Sequence, residues 1–239
     1  MNDLSSFPWL RWYVLNMKSI PAGTVILSDS PTVPMVSLEL ESFRMGATPV
    51  TWGMWKEYVN TVSIPSKPAK LPFDPGWGYP DDHPVVNVSR DDVMKPGGFC
   101  DWASEASGMN LSLPMSEEWL YAAQGGKQSL DIGYHPIDEG RLQNGNYLTV
   151  AVSRTEGVHR NGYGLTDLAG NVWQWCNDNG EVDGEDCNSG TFYVARGYCP
   201  VGPMNDGRLS HHVSLYKKFT MNTIGFRLIQ SRNSRIGWF

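Results

Sequence analysis

The sequence predicts an α+β domain built of short strands, a few helices and much irregular chain. Three features lead there. Apolar residues recur at helical spacing behind capping residues in three stretches, and brief runs rich in β-branched and aromatic residues fall between turns. In addition, 25 glycines and 16 prolines interrupt any long regular element. Ten tryptophans and an aromatic content of 12% still supply large surfaces for burial.

Taken in order, residues 7 to 17, FPWLRWYVLNM, are apolar but broken by Arg11 and Asn16. They read as a docking strand or an oligomer contact within an N-terminal segment, 1–19. A single domain is expected over 20–239, opening with a strand at TVILS near residue 24. In TPVTWGMWKEYVN, Thr51 can cap a helix whose Trp52, Trp55 and Val59 form one apolar stripe. Residues 61–84 carry six prolines and should be an irregular excursion packed by its own aromatics. Ser89, followed three residues later by Asp92, resembles a capping box. Pro96, Gly97 and Gly98 should split the helix it opens before FCDWASEA resumes. In LPMSEEWLYAAQGG, Ser116, Glu117 and Glu118 suit a helix N-terminus and Gly125 its end. The stretch GLTDLAGNVWQW alternates Val172 and Gln174 with Trp173 and Trp175, as a strand with one buried aromatic face would. Gly162, Gly164 and Gly170 suit turns, and TFYVARG and IGFRLI read as further strands.

Charge and cysteine content narrow the function classes. A net charge of −6 argues against nucleic acid, whose phosphates call for clustered Lys and Arg. No stretch reaches the roughly 18 consecutive apolar residues of a membrane helix, so no membrane insertion is expected. The N-terminus carries no basic region followed by an apolar core, so no signal peptide is read there, and the localisation stays open, with the cytoplasm and a virion among the options. Four cysteines do not make a disulfide scaffold, although Cys176 and Cys187 flank an acidic loop and can pair in an oxidising compartment. The adjacent His211 and His212 lack further ligands, and no Gly-x-Ser-x-Gly elbow is present.

The motifs IPAGTVIL, ATPVTWGMWKEYV, HPVVNVSRDDV, LPMSEEWLYAAQGG, NGYGLTDLAGNVWQW, VARG and IGFRL occur in the order found in the formylglycine-generating enzyme, or sulfatase-modifying factor, family. The chain resembles that family from about residue 20 to 229. The resemblance implies the C-type-lectin-like fold as that family elaborates it. The variable proteins of diversity-generating retroelements, in the same superfamily, also look like this chain.

The resemblance further implies where a catalytic centre would stand. In the active enzymes two cysteines follow the Arg-Gly pair by about six and eleven residues and hold copper(I), a soft ion suited to thiolates. Counted from Arg196, those positions are Gly202 and Gly207, which cannot ligate a metal. Cys199 has no partner nearby, and a lone thiol behaves as a small hydrophobe. A divergent oxidase without the usual pair is the alternative function. The family's calcium loop, carried across, falls on Asp167, Gly170, Val172 and Gln174, with Gln174 where a Glu is usual. One carboxylate among neutral oxygens makes a weak calcium site, so calcium is the cofactor left open.

What remains is a segment strung between two anchors. Arg196-Gly197 opens it, Ile224-Gly225-Phe226-Arg227 closes it, and 26 residues lie between Gly197 and Ile224. Within the candidate binding segment 198–223, Asn205, Asp206, Arg208, Ser210, His211, His212, Ser214, Tyr216, Lys217 and Lys218 mix hydroxyls, an aromatic, amides and cations. That mixture resembles a paratope. The expected function is therefore non-enzymatic binding of a protein or glycan ligand, on a loop that crosses the surface and returns. The sequence leaves the oligomeric state unset.

Overall fold

The computed structural model describes residues 3–27, 37–62, 72, 74, 76, 78–127, 142–143, 146–147, 149–152, 160–168, 170–180, 190–197, 209 and 211–230. Helix α1 (Pro8–Asn16) leads into strands β1 (Lys18–Ile20), β2 (Gly23–Ile26), β3 (Ser37–Leu40) and β4 (Phe43–Met45). Helices α2 (Trp52–Val62), α3 (Arg90–Met94) and α4 (Phe99–Ser107) follow, then β5 (Leu111–Ser112), α5 (Ser116–Gln124), β6 (Leu142–Gln143) and β7 (Asn146–Tyr147). The C-terminal part supplies β8 (Trp173–Asn179), β9 (Phe192–Arg196), β10 (His212–Tyr216), β11 (Ile224–Gly225) and β12 (Ile229–Gln230).

The N-terminal segment is a helix, not the expected strand. Leu10, Tyr13 and Val14 stand at i, i+3 and i+4 and are buried against α2 and α4, inside the core. Pro8 opens the helix, where its missing N–H costs nothing. The Glu57 carboxylate of α2 accepts from the Trp9 and Leu10 N–H groups at 2.8 and 3.0 Å and so acts as the cap. That cap comes from a residue far along the chain.

Helix α2 also starts differently from expectation. Its stripe of Trp52, Trp55 and Val59 is buried as the spacing implies, but the Thr51 hydroxyl makes no hydrogen bond and caps nothing. Carbonyls of the 81–83 stretch take the helix's first donors instead: Trp52 N–H donates to His83 O at 3.0 Å and Gly53 N–H to Asp81 O at 2.9 Å. By contrast, Ser89 and Asp92 form the expected reciprocal box, and the chain breaks into α3 and α4 around Pro96 to Gly98.

Two four-stranded sheets organise the rest. One has the order β1-β4-β12-β5 and the other β10-β9-β8-β11, with β11 parallel to β8 and the remaining pairs antiparallel. The second sheet is covered on both faces at β8 and the adjoining end of β9. Trp173, Trp175 and Ala195 face a core formed with α1, α2 and α4, while Cys176 and Val194 face a second core around α5 and the first sheet. Both sets of alternating residues in β8 are therefore buried, not the aromatic set alone. Strand β11 approaches the 85-region main chain so closely that a Cβ on Gly225 would lie 2.5 Å from Val85 O.

Candidate functional site

The two anchors of the C-terminal segment flank β8 in the second sheet, where Gln174 pairs with Arg196 on one side and Gly225 on the other. Gln174 of β8 and Arg227, just after β11, are both fully buried. Gln174 Oε1 accepts from Trp119 Nε1 at 2.9 Å and from Arg227 Nε at 2.6 Å, and its Nε2 donates to Asp167 O at 2.6 Å. The other Arg227 nitrogens donate to Gly46 O at 3.0 Å, Thr166 O at 2.6 Å and Asp167 O at 3.2 Å. Burial lowers the Arg227 pKa to about 10, which leaves the guanidinium charged at neutral pH.

This network occupies the positions that the calcium resemblance pointed to. Asp167 and Gln174 do come together, but through the main-chain carbonyl of Asp167. The Asp167 carboxylate instead accepts from Thr166 Oγ1 at 3.2 Å and Asn171 Nδ2 at 3.3 Å. A carboxamide oxygen with two donors has both lone pairs engaged, and a guanidinium beside it opposes a cation. Gly170 and Val172 stand in the same turn, where Val172 N–H donates to Gly170 O at 2.8 Å. Among the described residues no group of three or more His, Cys, Asp or Glu side chains is arranged to hold a metal ion.

Arg196 fixes the other anchor. Its Nε donates to Ser116 Oγ at 2.6 Å and its Nη1 to Leu209 O at 3.3 Å, so one buried side chain ties the end of β9 both to α5 and to the point where the chain returns. Gly197 follows with φ of 108°, and a Cβ there would meet Val172 O at 3.2 Å. Leu209 is buried in the α5 core. The excursion is thereby held at Gly197 and at Leu209, and the chain re-enters the frame well before Ile224.

Beside Arg196, Asp178 of β8 accepts from Ser116 N–H at 2.5 Å and caps α5, whose own N-cap residue, Met115, offers no side-chain hydrogen bond. Burial, and secondarily the nearby Glu117, push the Asp178 pKa up to about 6, although backbone hydrogen bonds and Arg196 oppose the shift. Cys176, also close by, is a free thiol rather than half of a pair with Cys187, which lies outside the described residues. Burial pushes that thiol well above its ordinary value, which favours the neutral thiol over the nucleophilic thiolate.

Of the sequence-selected binding residues, Asn205, Asp206, Arg208 and Ser210 lie outside the described residues, as does Cys199. His211, His212, Ser214, Tyr216, Lys217 and Lys218 are described, and the expected loop is partly a strand there. Strand β10 pairs with β9 from His212↔Arg196 to Tyr216↔Phe192 and forms the edge of the sheet. Alternation puts His212, Ser214 and Tyr216 on one face, with His212 and Tyr216 exposed. Half-buried Val213 and Leu215 pack on the opposite side against the first core.

The turn after β10 holds what the sequence reading missed. Phe219 and Met221 are 39% and 37% exposed, beside Tyr216 at 43%, and Phe192 meets the Tyr216 ring edge-on at 6.1 Å. The frame pins this turn: Asp91 N–H donates to Lys217 O at 3.1 Å and Asn87 N–H to Met221 O at 3.0 Å. Below it the Arg90 guanidinium lies 3.7 Å from the Tyr193 ring centre and donates to Asn177 Oδ1 at 2.7 Å. The apolar Tyr216, Phe219 and Met221 interspersed in YKKFTM were the available signal, obscured by the two lysines.

Comparison with known proteins agrees with this architecture. Residues 12–232 match the family model of the sulfatase-modifying factor enzyme 1-like domain. The chain is 28% identical over 229 residues to serine/threonine-protein kinase pkn1 of Chlamydia pneumoniae, covering 84% of this chain and 35% of that protein. It is 32% identical over 150 residues to the formylglycine-generating enzyme of Thermomonospora curvata, covering 55% of this chain and 46% of the enzyme. It thus spans less than half the length of either relative. Among solved structures, Treponema denticola variable protein 1 has the same fold, with a TM-score of 0.65 at 21% identity over 90% of this chain and 94% of that one. Among the described residues no helix is long and apolar enough to cross a membrane. The chain belongs to the sulfatase-modifying factor family, whose formylglycine-generating enzymes it resembles in motif order, and it has that family's C-type-lectin-like α+β fold.

Proposed function

We propose that this protein is a non-enzymatic ligand-binding protein whose C-terminal segment, 198–223, forms a recognition surface on a C-type-lectin-like frame, in the manner of a retroelement-diversified variable protein. One observation carries the reading. Tyr216, Phe219 and Met221 are all exposed within six residues of an edge strand and turn, and the frame ties that turn down through Lys217 O and Met221 O. Exposed aromatic and thioether groups on a fixed support are what an interface core requires. The chemistry of the segment supports the same reading, because Gly202 and Gly207 stand where the copper-binding thiols of an oxidase would be. The fold shared with a variable protein is compatible with it, as is any other use of that fold.

The test is a binding screen against arrayed proteins and glycans, using wild-type protein and the triple variant His212→Ala, Tyr216→Ala, Phe219→Ala. A ligand retained by the wild type and lost by a folded triple variant is expected. Oxidation of a cysteine-containing sulfatase peptide in the presence of copper(I) would overturn the reading in favour of an enzyme. A reverse transcriptase gene beside a near-copy of the coding region for 198–223 is the genomic signature expected of a diversified protein.

A further inference from the structure

We propose that the partner docks as an added β-strand: an extended, acidic peptide segment that pairs with the outer edge of β10. This rests on the recognition-surface reading above and names the chemistry of its partner.

The main chain supplies the first reason. Lys217 N–H donates to Thr191 O at 2.9 Å and continues the β10–β9 ladder, so Val213 and Leu215, in register with it, direct their main-chain groups at β9. Gly180 N–H donates to Phe192 O at 2.8 Å, which shows the complementary alternation on β9. The Ser214 N–H and C=O and the Tyr216 N–H therefore point away from the sheet. Phe219 N–H takes Tyr216 O at 2.7 Å and ends the edge in a turn. Among the described residues no strand pairs with this side of β10. Outward-facing ladder groups of this kind are a template for another strand.

Charge supplies the second. The protein carries a net charge of −6, yet residues 211–230 contain no Asp or Glu. Lys217 and Lys218 follow β10, and among the described residues neither is in an ion pair, unlike Lys56 with Asp81 and Lys95 with Asp92. A lysine within an edge strand deters pairing. These two stand in the turn just past it, where they meet the end of an incoming acidic strand and leave the ladder unobstructed.

Side chains supply the third. A strand presents alternate residues to opposite faces. On one face the newcomer would meet Tyr216 with Phe192 beside it, and on the other half-buried Val213 and Leu215, with Phe219 and Met221 at the end. An acidic strand with apolar residues at alternating positions matches both the charge and this pattern.

The experiment pans the wild-type protein against a random dodecapeptide library on phage and measures the enriched sequences as synthetic peptides by fluorescence anisotropy. Enriched peptides should be acidic with alternating apolar residues, and binding should weaken with salt. Ser214→Pro removes one outward N–H and spares the ladder to β9, so it should weaken binding by about ten-fold or more with unchanged circular dichroism. Lys218→Glu should weaken it as well. If Ser214→Pro misfolds, N-methylation of the peptide at successive positions replaces it: loss of binding at every second position is expected, and uniform tolerance would overturn strand addition. Neutral or basic peptides, or peptides that bind Ser214→Pro undiminished yet are lost on Tyr216→Ala, would overturn the proposal and leave the recognition surface standing. A glycan-array signal lost on Tyr216→Ala would do the same. Binding that no β10 substitution alters, or no binding to peptide, protein or glycan, would overturn both.

Discussion

The Gln174–Arg227 centre and the β10 edge lie on the same four-stranded sheet, and both are rich in polar groups. In the centre, each Arg227 nitrogen and the Gln174 oxygen has a partner inside the protein. At the edge, main-chain groups point outward and the neighbouring side chains are exposed. Removing a partner from a sealed network strands buried charge and dipoles, whereas removing one from an exposed edge exchanges it for water. Stability should therefore reside in the centre, and recognition chemistry can change at the edge without unfolding the frame.

The centre is the place where that contrast breaks most visibly. Arg227→Met would leave Gly46 O and Thr166 O without this donor and Gln174 Oε1 with Trp119 Nε1 alone, and a loss of roughly 3 to 5 kcal/mol is expected in urea denaturation. Phe226→Ala, one residue away, should cost a similar ~3 to 5 kcal/mol, because the ring is fully buried between Phe99 at 5.2 Å and Trp55 at 6.1 Å. If either variant unfolds at the wild-type midpoint, the centre does not hold the fold together.

Asp178 tests the border between the two regions. Its folded pKa of about 6 lies above the ordinary value of 3.8, so the folded state holds the proton more tightly. The carboxyl's contribution to stability is thus greatest below pH 3.8 and falls as the pH rises to about 6. Asp178→Asn keeps an oxygen for the Ser116 N–H and removes the titration. It should flatten that part of the stability profile and stabilise the protein at pH 7 by at most about 3 kcal/mol, with the difference from wild type shrinking at pH 4. Thermal melts across pH 4 to 7 would show whether the profile flattens.

The edge should give the smaller effects. The triple variant of His212, Tyr216 and Phe219 to Ala is expected to shift stability by no more than about 1 kcal/mol while abolishing ligand binding. Unfolding of that variant would mean that these side chains belong to the core. Calcium ranks last. A chelator should move the melting temperature only slightly, because Gln174 already binds two donors. A large drop, reversed by calcium and absent in Asp167→Ala, would show that the centre is an ion site.

Much of the frame was legible in the chain. The Ser89–Asp92 box, the break at Pro96 to Gly98 and the end of α5 at Gly125 are set by groups within a few residues of one another. The candidate surface was less legible. Strand β10 is short, its Val213 and Leu215 only half-buried, and its alternation ends in two lysines that hide Phe219 and Met221. The anchor residues Arg196 and Arg227 stood in recognisable motifs, but their partners Ser116, Leu209 and Gly46 are distant in sequence.

By itself the sequence determined the α+β class, the positions of α2 to α5, the family and the Arg196-Gly197 opening of the C-terminal segment, because spacing, caps and motif order are local or ordered along the chain. Tertiary structure decided the rest. Glu57 makes residues 8–16 a helix by supplying the cap they lack, His83 and Asp81 take the donors that Thr51 does not, and β9 turns His212–Tyr216 of an expected loop into an edge strand. In each case the deciding hydrogen-bond partner lies far off in sequence, and only folding brings it within reach of the main chain.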